Sequence, residues 1–347
     1  MNSLLGEISS KYAAANRIHA VMFEITNRCL CDCIHCLLVK EPEAELSLDE
    51  IADLFAQLRE EGTLNITITG GEPFLRDDLP QILDLTRKDH FFTHMLTTGI
   101  LIGKPEVKML MNMGVRNLEI SLLGAEPDTH DSIMQFPGAF NRTMDAVKLL
   151  KENDFMISLK STIMRPNTGE LNDMALLAHN LGVHYSANIM VAPRVDGNCS
   201  PQKLALSEDE IEVLDPALLN GGLIPGEEGL SKLILTCNAG ITSAGISPEG
   251  DIFPCIILRH SVGTIRERTL QDIWHDNPDP MLEEMRQLRP QDVSACYNCE
   301  LKLYCWRCPG VAYLETGDIR LPNNSSCVLA RGMKKACSHA GTTPFSQ

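Results

Sequence analysis

Three cysteines near the start of the chain have the spacing of a metal-binding loop. Cys29, Cys33 and Cys36 follow an apolar run, Val21 to Ile25, at the spacing C-x3-C-x2-C. Thiolates this close together on a loop are typical ligands of an iron–sulfur cluster or a zinc ion. A closed structural site uses four ligands, so three thiolates leave one metal position open for another molecule. A small zinc knuckle is the alternative interpretation.

A second set of cysteines lies in the last third of the chain. A C-x2-C-x5-C-x2-C block forms its centre, two cysteines precede the block and one follows it: Cys237, Cys255, Cys296, Cys299, Cys305, Cys308 and Cys327. Soft thiolate ligands in this number indicate metal binding. A zinc ribbon is the alternative, although its two cysteine pairs ordinarily stand about 15 to 20 residues apart.

Strand and helix patterns alternate along the first two-thirds of the chain. β-Branched or apolar runs predict strands at 21–25, 64–69, 91–99, 115–125, 155–164 and 183–191. Amphipathic runs predict the intervening helices at 48–62, 79–88, 107–113, 140–151 and 170–180. Ser47 and Glu50 form the pattern of a capping box for the first of these helices. Strict alternation implies a parallel sheet with right-handed crossovers.

Candidate ligand-binding residues follow the carboxyl ends of the predicted strands, where the sites of α/β proteins form. Glycines at such an end let backbone groups approach a ligand closely. Lys160 and Arg165 could meet a carboxylate, and a solvated charge is the alternative for each. The remaining candidates are Gly70, Gly71, Glu72, Pro73, Thr98 and Ser121.

Length and composition limit the classes of protein. The 347 residues are long enough for about two domains. A net charge of −16 argues against nucleic acid or an anionic membrane as the main partner. No apolar run approaches the ~18 residues that span a bilayer, and the first 20 residues lack the pattern of a secretory signal. Thirteen cysteines, ten of them in metal-ligand groups, fit a reducing, cytoplasmic location.

The first half of the chain resembles the radical S-adenosylmethionine (SAM) superfamily. The resemblance implies a partial (β/α)6 barrel, open on one side, in which Cys29, Cys33 and Cys36 hold a 4Fe–4S cluster and SAM chelates the fourth iron. It also implies that the cluster reduces SAM to a 5′-deoxyadenosyl radical, which abstracts a substrate hydrogen. SAM contacts are expected from Gly70, Gly71, Glu72, Pro73, Thr98, Ser121, Lys160 and Arg165. The chain departs from the family at His35, Thr98 and Leu123, where an aromatic residue, Asn and Asp are usual.

The cysteines of the last third resemble the SPASM extension of radical SAM enzymes. This resemblance implies a small, irregular α+β domain with two auxiliary clusters, both expected to be 4Fe–4S. Cluster I would be held by Cys237, Cys255 and Cys308, and cluster II by Cys296, Cys299, Cys305 and Cys327. The fourth position of cluster I is either an open iron or one of Cys31, Cys199 and Cys337. The expected divisions are 1–19 (extension), 20–197 (radical SAM core), 198–236 (bridge) and 237–340 (SPASM domain).

The substrate implied by the resemblance is a ribosomally made peptide that is cross-linked, oxidised or epimerised. Maturation of a sulfatase-type target enzyme, or of a quinone, haem or tungsten cofactor, is the alternative, and a non-catalytic iron–sulfur electron carrier is a third. The expected partners are a peptide or protein substrate and a reductant such as flavodoxin or ferredoxin. About 20 residues before the first strand are too few for an independent domain, so a separate protein is a candidate for peptide recognition.

Overall fold

Parallel strands in chain order form the centre of the molecule. The computed structural model describes residues 4–39, 44–219 and 237–339. Within them, parallel strands pair in the order β6-β5-β4-β3-β2-β1. Their bounds are β1 (Ala20–Glu24), β2 (Asn65–Thr69), β3 (Phe92–Thr97), β4 (Asn117–Ser121), β5 (Met156–Thr162) and β6 (His184–Asn188). The predicted α/β fold with a parallel sheet is confirmed, with each strand inside its predicted range or one residue from it.

Helices connect these strands in the alternation that the sequence predicts. They are α1 (Leu4–Ala14), α2 (Leu48–Glu61), α3 (Leu79–Lys88), α4 (Lys104–Asn112), α5 (Pro127–Met134), α6 (Ala139–Lys151) and α7 (Leu171–Leu181). The predicted capping box of α2 is confirmed. The amide of Glu50 donates to Ser47 Oγ (3.3 Å), and the amide of Ser47 donates to Glu50 Oε2 (2.8 Å). Helices α1 and α5 were not predicted.

The strands present two chemically different faces. Apolar side chains on one face, including Phe23, Ile68 and Leu159, are fully buried against the helices, and each stabilises the fold by about 1.5–3 kcal/mol. The alternate residues, such as Glu119 and Lys160, point to the other face and are only partly buried. The sheet therefore has an apolar face that packs on helices and a concave face with polar and charged groups.

The last third of the chain continues the same sheet. Strand β7 (Ser243–Ile246) pairs in parallel with β1, and the short strands β8 (Asp251–Phe253) and β9 (Gly263–Thr264) follow in antiparallel pairing. A turn joins β7 to β8, in which the amide of Gly250 donates to the carbonyl of Ser247 (3.1 Å). The described residues thus form one nine-stranded sheet.

In the part of the chain that the structure describes, four short helices and one long helix, α12, complete the carboxyl-terminal region. They are α8 (Glu208–Glu212), α9 (Pro280–Gln287), α10 (Ser294–Tyr297), α11 (Pro309–Thr316) and α12 (Asn324–His339). Helix α12, which was not predicted, packs on α8, where an ion pair joins Arg331 to Glu208. A π-helical turn covers Asp272–Asp276, and Asp279 caps the following helix, α9. No helix among the described residues is long and apolar enough to cross a membrane.

Candidate active site

A cavity of about 130 Å³ lies at the carboxyl-terminal edge of the parallel sheet. The ends of parallel strands meet at one edge, so residues far apart in sequence come together there. Many of the predicted site residues line this cavity: Cys29, Cys33, Cys36, Gly70, Gly71, Thr98 and Ser121. A larger depression, of about 660 Å³, lies beside α2 and holds no cysteine, so the smaller cavity is the candidate site.

Other lining residues were not among the predicted contacts. They are Asn27, Cys31, His35, Leu38, Leu123 and Met134. Asn27 Nδ2 donates to Glu249 Oε1 (2.9 Å), which links the cysteine loop to the turn after β7. Nothing in the sequence indicated this contact, since the two residues lie 222 positions apart. Proximity to the cysteine motif was the one available signal for Asn27, His35 and Leu38.

The two glycines after β2 let the cysteine loop pack directly on the strand end. A Cβ atom on Gly70 would lie 2.3 Å from the carbonyl oxygen of Thr26, and one on Gly71 would lie 2.2 Å from that of Arg28. The amide of Gly71 donates to the Thr26 carbonyl (2.7 Å), and the amide of Glu72 donates to the Arg28 carbonyl (2.8 Å). No other residue fits here without moving the loop, because every other side chain begins with Cβ.

Glu72 joins the ends of β2 and β3 and does not line the cavity. Its fully buried carboxylate accepts hydrogen bonds from the Thr97 hydroxyl (2.8 Å) and from the Thr98 amide (2.9 Å) and hydroxyl (2.5 Å). Burial raises the pKa of Glu72, and the bonds from Thr98 and Thr97 oppose that rise. Pro73 is likewise buried, in the short 3₁₀ helix Pro73–Leu75. The predicted contacts of Glu72 and Pro73 with SAM stay predictions.

The two predicted cationic residues lie outside the cavity lining. Lys160 Nζ is 2.7 Å from Glu119 Oε1 on the concave face, and Lys160 pairs in register with the cavity residue Ser121. Arg165 lies 3.2 Å from the Glu210 carboxylate and donates to the Lys203 carbonyl (2.8 Å). Lys160 therefore lies on β5, beside the strand that carries the cavity residue Ser121. Arg165 lies where the chain after β5 contacts the segment around α8.

Cys31 and His35 give the cavity a neutral lining beside the three predicted ligands. Hydrogen bonds with Cys29 and then Cys33 are the main reason that the pKa of Cys31 is raised, so its thiol stays protonated. Burial lowers the pKa of His35 to about 4, so its ring is neutral at pH 7. Cys31 was one candidate for the fourth ligand of cluster I, and the structure places it in the lining of this cavity with Cys29 and Cys33.

Three cysteines that are far apart in sequence approach one another near β7 and α11. Burial raises the pKa of Cys255 to about 12, and the neighbouring Cys308 and Cys237 add to this shift. Burial also raises the pKa of Cys237, with Cys308 again contributing. We call these three residues group I. They are the three predicted ligands of auxiliary cluster I.

The other four cysteines of the last third form a separate group. Burial raises the pKa of Cys305 to about 12, with further contributions from Cys327, Cys296 and Cys299. Burial and the proximity of Cys296 and Cys299 raise the pKa of Cys327 as well. We call these four residues group II, and they are the predicted ligands of auxiliary cluster II. Cys305 and Cys308 therefore belong to different groups, although two residues separate them.

The donor sets fit iron–sulfur clusters. All 13 cysteines lie in the described residues and none forms a disulfide. Within these residues, no three His, Cys, Asp or Glu side chains are arranged as ligands of one metal ion. In a four-iron cluster each thiolate binds a different iron atom. The predicted ligands number three in the loop, three in group I and four in group II.

Two family models match the chain in the regions that carry these cysteines. The model of the radical SAM superfamily matches residues 23–178. The model of an iron–sulfur cluster-binding domain, SPASM, matches residues 237–300. The first match covers the strands and helices around the cavity, and the second covers β7 to the first two cysteines of the central block.

Similar proteins and structures agree with these matches. The AdoMet-dependent heme synthase of Methanosarcina barkeri is 27% identical, over 93% of this chain and 99% of that protein. The subtilosin biosynthesis protein AlbA of Bacillus subtilis is 29% identical, over 84% of this chain and 67% of that protein. The structure of Streptococcus suis SuiB bound to precursor peptide SuiA has a TM-score of 0.70 and 18% identity, over 92% of this chain and 80% of that one. The chain therefore carries a domain that matches the radical SAM superfamily, over residues 23–178, and a following domain that matches SPASM, over residues 237–300.

Proposed function

We propose that this radical SAM enzyme cross-links, oxidises or epimerises a ribosomally made peptide. The observation that carries the proposal is the joining of β7 to β1, which sets the SPASM cysteines beside the cavity-bearing sheet. The relatives AlbA, named for bacteriocin biosynthesis, and SuiB, solved with a precursor peptide, support the same substrate class. The cofactors are a SAM-binding 4Fe–4S cluster, auxiliary iron–sulfur clusters and SAM.

The proposed roles of the residues follow from their positions. Cys29, Cys33 and Cys36 hold the SAM-binding cluster, and Cys31 does not. When bound, the reduced cluster and SAM supply a 5′-deoxyadenosyl radical that removes a hydrogen atom from the substrate. Gly70, Gly71, Thr98 and Ser121 shape the SAM site, Glu72 fixes the strand ends, and Pro73 begins the turn behind them. Lys160 and Arg165 bind a carboxylate of SAM.

The auxiliary clusters and partners complete the proposal. Group I holds cluster I and group II holds cluster II, within a SPASM domain at 237–340 that the bridge 198–236 joins to the core at 20–197. When bound, these clusters would supply one-electron redox chemistry, for which cluster potentials cover a range of about −700 to +450 mV. Flavodoxin or ferredoxin is the proposed reducing partner. Peptide recognition falls to the barrel, the SPASM region or a separate protein.

One observation favours a second candidate, a step in haem cofactor synthesis. The match with the heme synthase of M. barkeri covers 99% of that protein, a larger share than the match with AlbA covers. The concave face of the barrel also carries ionic groups, Glu119 and Lys160, which suit a charged substrate. The substrate class is therefore tested with both kinds of molecule.

The experiment supplies the anaerobically reconstituted enzyme with SAM, a reductant and one candidate substrate at a time. Peptides encoded beside the gene and a haem precursor are each followed by mass spectrometry, together with 5′-deoxyadenosine. Modified peptide in step with 5′-deoxyadenosine supports the proposal. Conversion of the haem precursor with every peptide unchanged would establish the second candidate. A variant with Cys29, Cys33 and Cys36 all replaced by Ala is the control for cluster-independent reactions.

A further inference from the structure

Arg307 lies at the junction between the two auxiliary cysteine groups. It stands in the segment Cys305-Trp306-Arg307-Cys308, whose first cysteine belongs to group II and whose last belongs to group I. Consecutive Cα atoms are about 3.8 Å apart. The Cα atoms of Cys305 and Cys308, which belong to different groups, are therefore at most roughly 11 Å apart. Any residue between these cysteines is near both groups.

The guanidinium of Arg307 is anchored through one of its three nitrogen atoms, and the donors on the other two lack partners among the described residues. Its Nη2 donates to the carbonyl oxygens of Ile319 and Leu321, the latter at 3.3 Å. Its Nε and Nη1 are shielded from solvent and have no hydrogen-bond partner among the described residues. A buried donor without a partner costs roughly 1–3 kcal/mol, and native proteins rarely leave such groups unsatisfied. Two such donors on one side chain point to an acceptor that the polypeptide does not supply.

The charge of Arg307 reaches members of both groups. It lowers the pKa of Cys237 and Cys308 in group I and of Cys305 in group II, against the larger effect of burial. No carboxylate among the described residues forms an ion pair with Arg307. Arginine keeps its proton at all physiological pH values. The positive charge between the groups is therefore permanent and is not balanced by an acid.

Arg331 provides a contrast within the same region. Its charge also lowers the pKa of a cluster thiol, Cys327 of group II. However, its guanidinium forms an ion pair with Glu208. Arg331 is not among the causes of the shifts at Cys237, Cys255 or Cys308. Arg331 is thus an arginine whose charge acts on a cluster thiol, as that of Arg307 does. Unlike Arg307, it is not among the described side chains with buried, unpartnered donors, and its charge acts on group II alone.

We propose that Arg307 is a shared positioning residue of both auxiliary clusters, whose Nε–H and Nη1–H donate hydrogen bonds to sulfur atoms of the two sites. Hydrogen bonds to sulfur and a nearby positive charge favour the reduced cluster, which carries one more electron. Arg307 thereby raises the reduction potentials of both auxiliary clusters together. The inference requires clusters at groups I and II but does not depend on the substrate being a peptide.

The test is a redox titration of the reconstituted holoenzyme, followed by electron paramagnetic resonance, in which no substrate is present. Arg307→Gln should move the midpoints of both auxiliary clusters to more negative potentials. The cluster at Cys29, Cys33 and Cys36 should keep its midpoint and serves as an internal control. Arg307→Lys, which keeps the charge but has no planar fork of donors, should shift both auxiliary midpoints by less. Arg331→Gln should leave cluster I unchanged.

Three outcomes would overturn the proposal. The first is that Arg307→Gln leaves both auxiliary midpoints unchanged, and the second is that it shifts the midpoint of one auxiliary cluster alone. The third is that Arg307→Gln and Arg331→Gln shift the two auxiliary midpoints by equal amounts. If Arg307→Gln does not retain its iron, Arg307→Lys decides alone. In that case, a shift of both auxiliary midpoints in Arg307→Lys supports the proposal, and midpoints equal to those of the wild-type protein reject it. Failure to modify any peptide would reject the proposed function and leave this result unaffected.

Discussion

The buried carboxylate of Glu72, at the end of β2, accepts hydrogen bonds from both the amide (2.9 Å) and the hydroxyl (2.5 Å) of Thr98, at the end of β3. Neighbouring strands are thereby joined at the edge of the sheet where the cysteine loop packs. Thr98 lines the cavity and Glu72 does not. Glu72 therefore acts on the site by holding Thr98 in position. This role does not depend on any contact between the Glu72 backbone and a ligand.

Removing this carboxylate should destabilise the fold as well as the site. We expect Glu72→Ala to lower the free energy of unfolding by about 3 kcal/mol, because a buried donor left without its partner costs roughly 1–3 kcal/mol. Urea unfolding of the chain before cluster assembly measures the change. Asp84→Ala is the matched control, since its carboxylate is partly exposed and, among the described residues, pairs with Arg87 and Lys88 on the surface of α3. Equal losses in both variants would contradict this role of Glu72.

The glycines after β2 should not tolerate even a methyl group. We expect Gly71→Ala to weaken SAM binding by about tenfold or more, a loss of at least ~1.4 kcal/mol, because its Cβ would meet the Arg28 carbonyl and displace the cysteine loop. Gly169→Ala is the control, since a Cβ there meets no atom within 4 Å. Equilibrium dialysis of the reconstituted protein with labelled SAM gives both affinities. Wild-type affinity in Gly71→Ala would show that the loop adapts to the methyl group.

The iron content should distinguish the cluster ligands from the nearby Cys31. Three filled cubane sites give roughly 11 to 12 irons per chain. Replacing Cys29, Cys33 and Cys36 together by Ala should remove about four of these irons and abolish 5′-deoxyadenosine formation. Cys31→Ala should keep its iron, as should the control Cys199→Ala at an exposed thiol. A loss of iron in Cys31→Ala would show that Cys31 is a cluster ligand.

Cys305 and Cys308 should affect different auxiliary clusters despite their proximity in sequence. We expect Cys308→Ala to deplete cluster I and Cys305→Ala to deplete cluster II, because each thiol lies among the members of its own group. Electron paramagnetic resonance of the reduced variants shows which signal is lost. The loss of one and the same signal in both variants would merge the two groups and refute the ligand assignment.

Lys160 and Arg165 should contribute unequally to SAM binding. We expect Lys160→Met to weaken binding by about tenfold, because a charge-assisted hydrogen bond contributes about 1.5–3 kcal/mol and Lys160 pairs in register with Ser121 of the cavity. Arg165→Met should have a smaller effect, because Arg165 does not pair in register with a cavity residue and lies instead against Glu210 and the Lys203 carbonyl. Isothermal titration of the reconstituted variants with SAM gives both values. Unchanged affinity in both variants would exclude these residues from the site.

The sequence was sufficient to predict the strands and the main cysteine motif. β-Branched or apolar runs predicted β1 to β6, and the capping box at Ser47 and Glu50 predicted the start of α2 at its observed residue. These features depend on local chemistry: backbone sterics, side-chain period and hydrogen bonds between residues three positions apart. Because parallel strands expose their carboxyl ends at one edge, the positions of Gly70, Thr98 and Ser121 beside the cysteine loop also followed from the order of elements.

The tertiary structure decided what depends on contacts between distant segments. It placed β7 against β1, set Asn27 beside Glu249, and paired Lys160 with Glu119. These relationships depend on the packing of surfaces that no periodicity records. The sequence also left the roles of Glu72 and Arg307 undetermined, since only burial and hydrogen-bond partners separate a ligand contact from a supporting one. The residue types in the chain determine which chemical groups are available. The fold determines which of these groups come into contact, because interaction free energies depend on distance in space and not on separation in sequence.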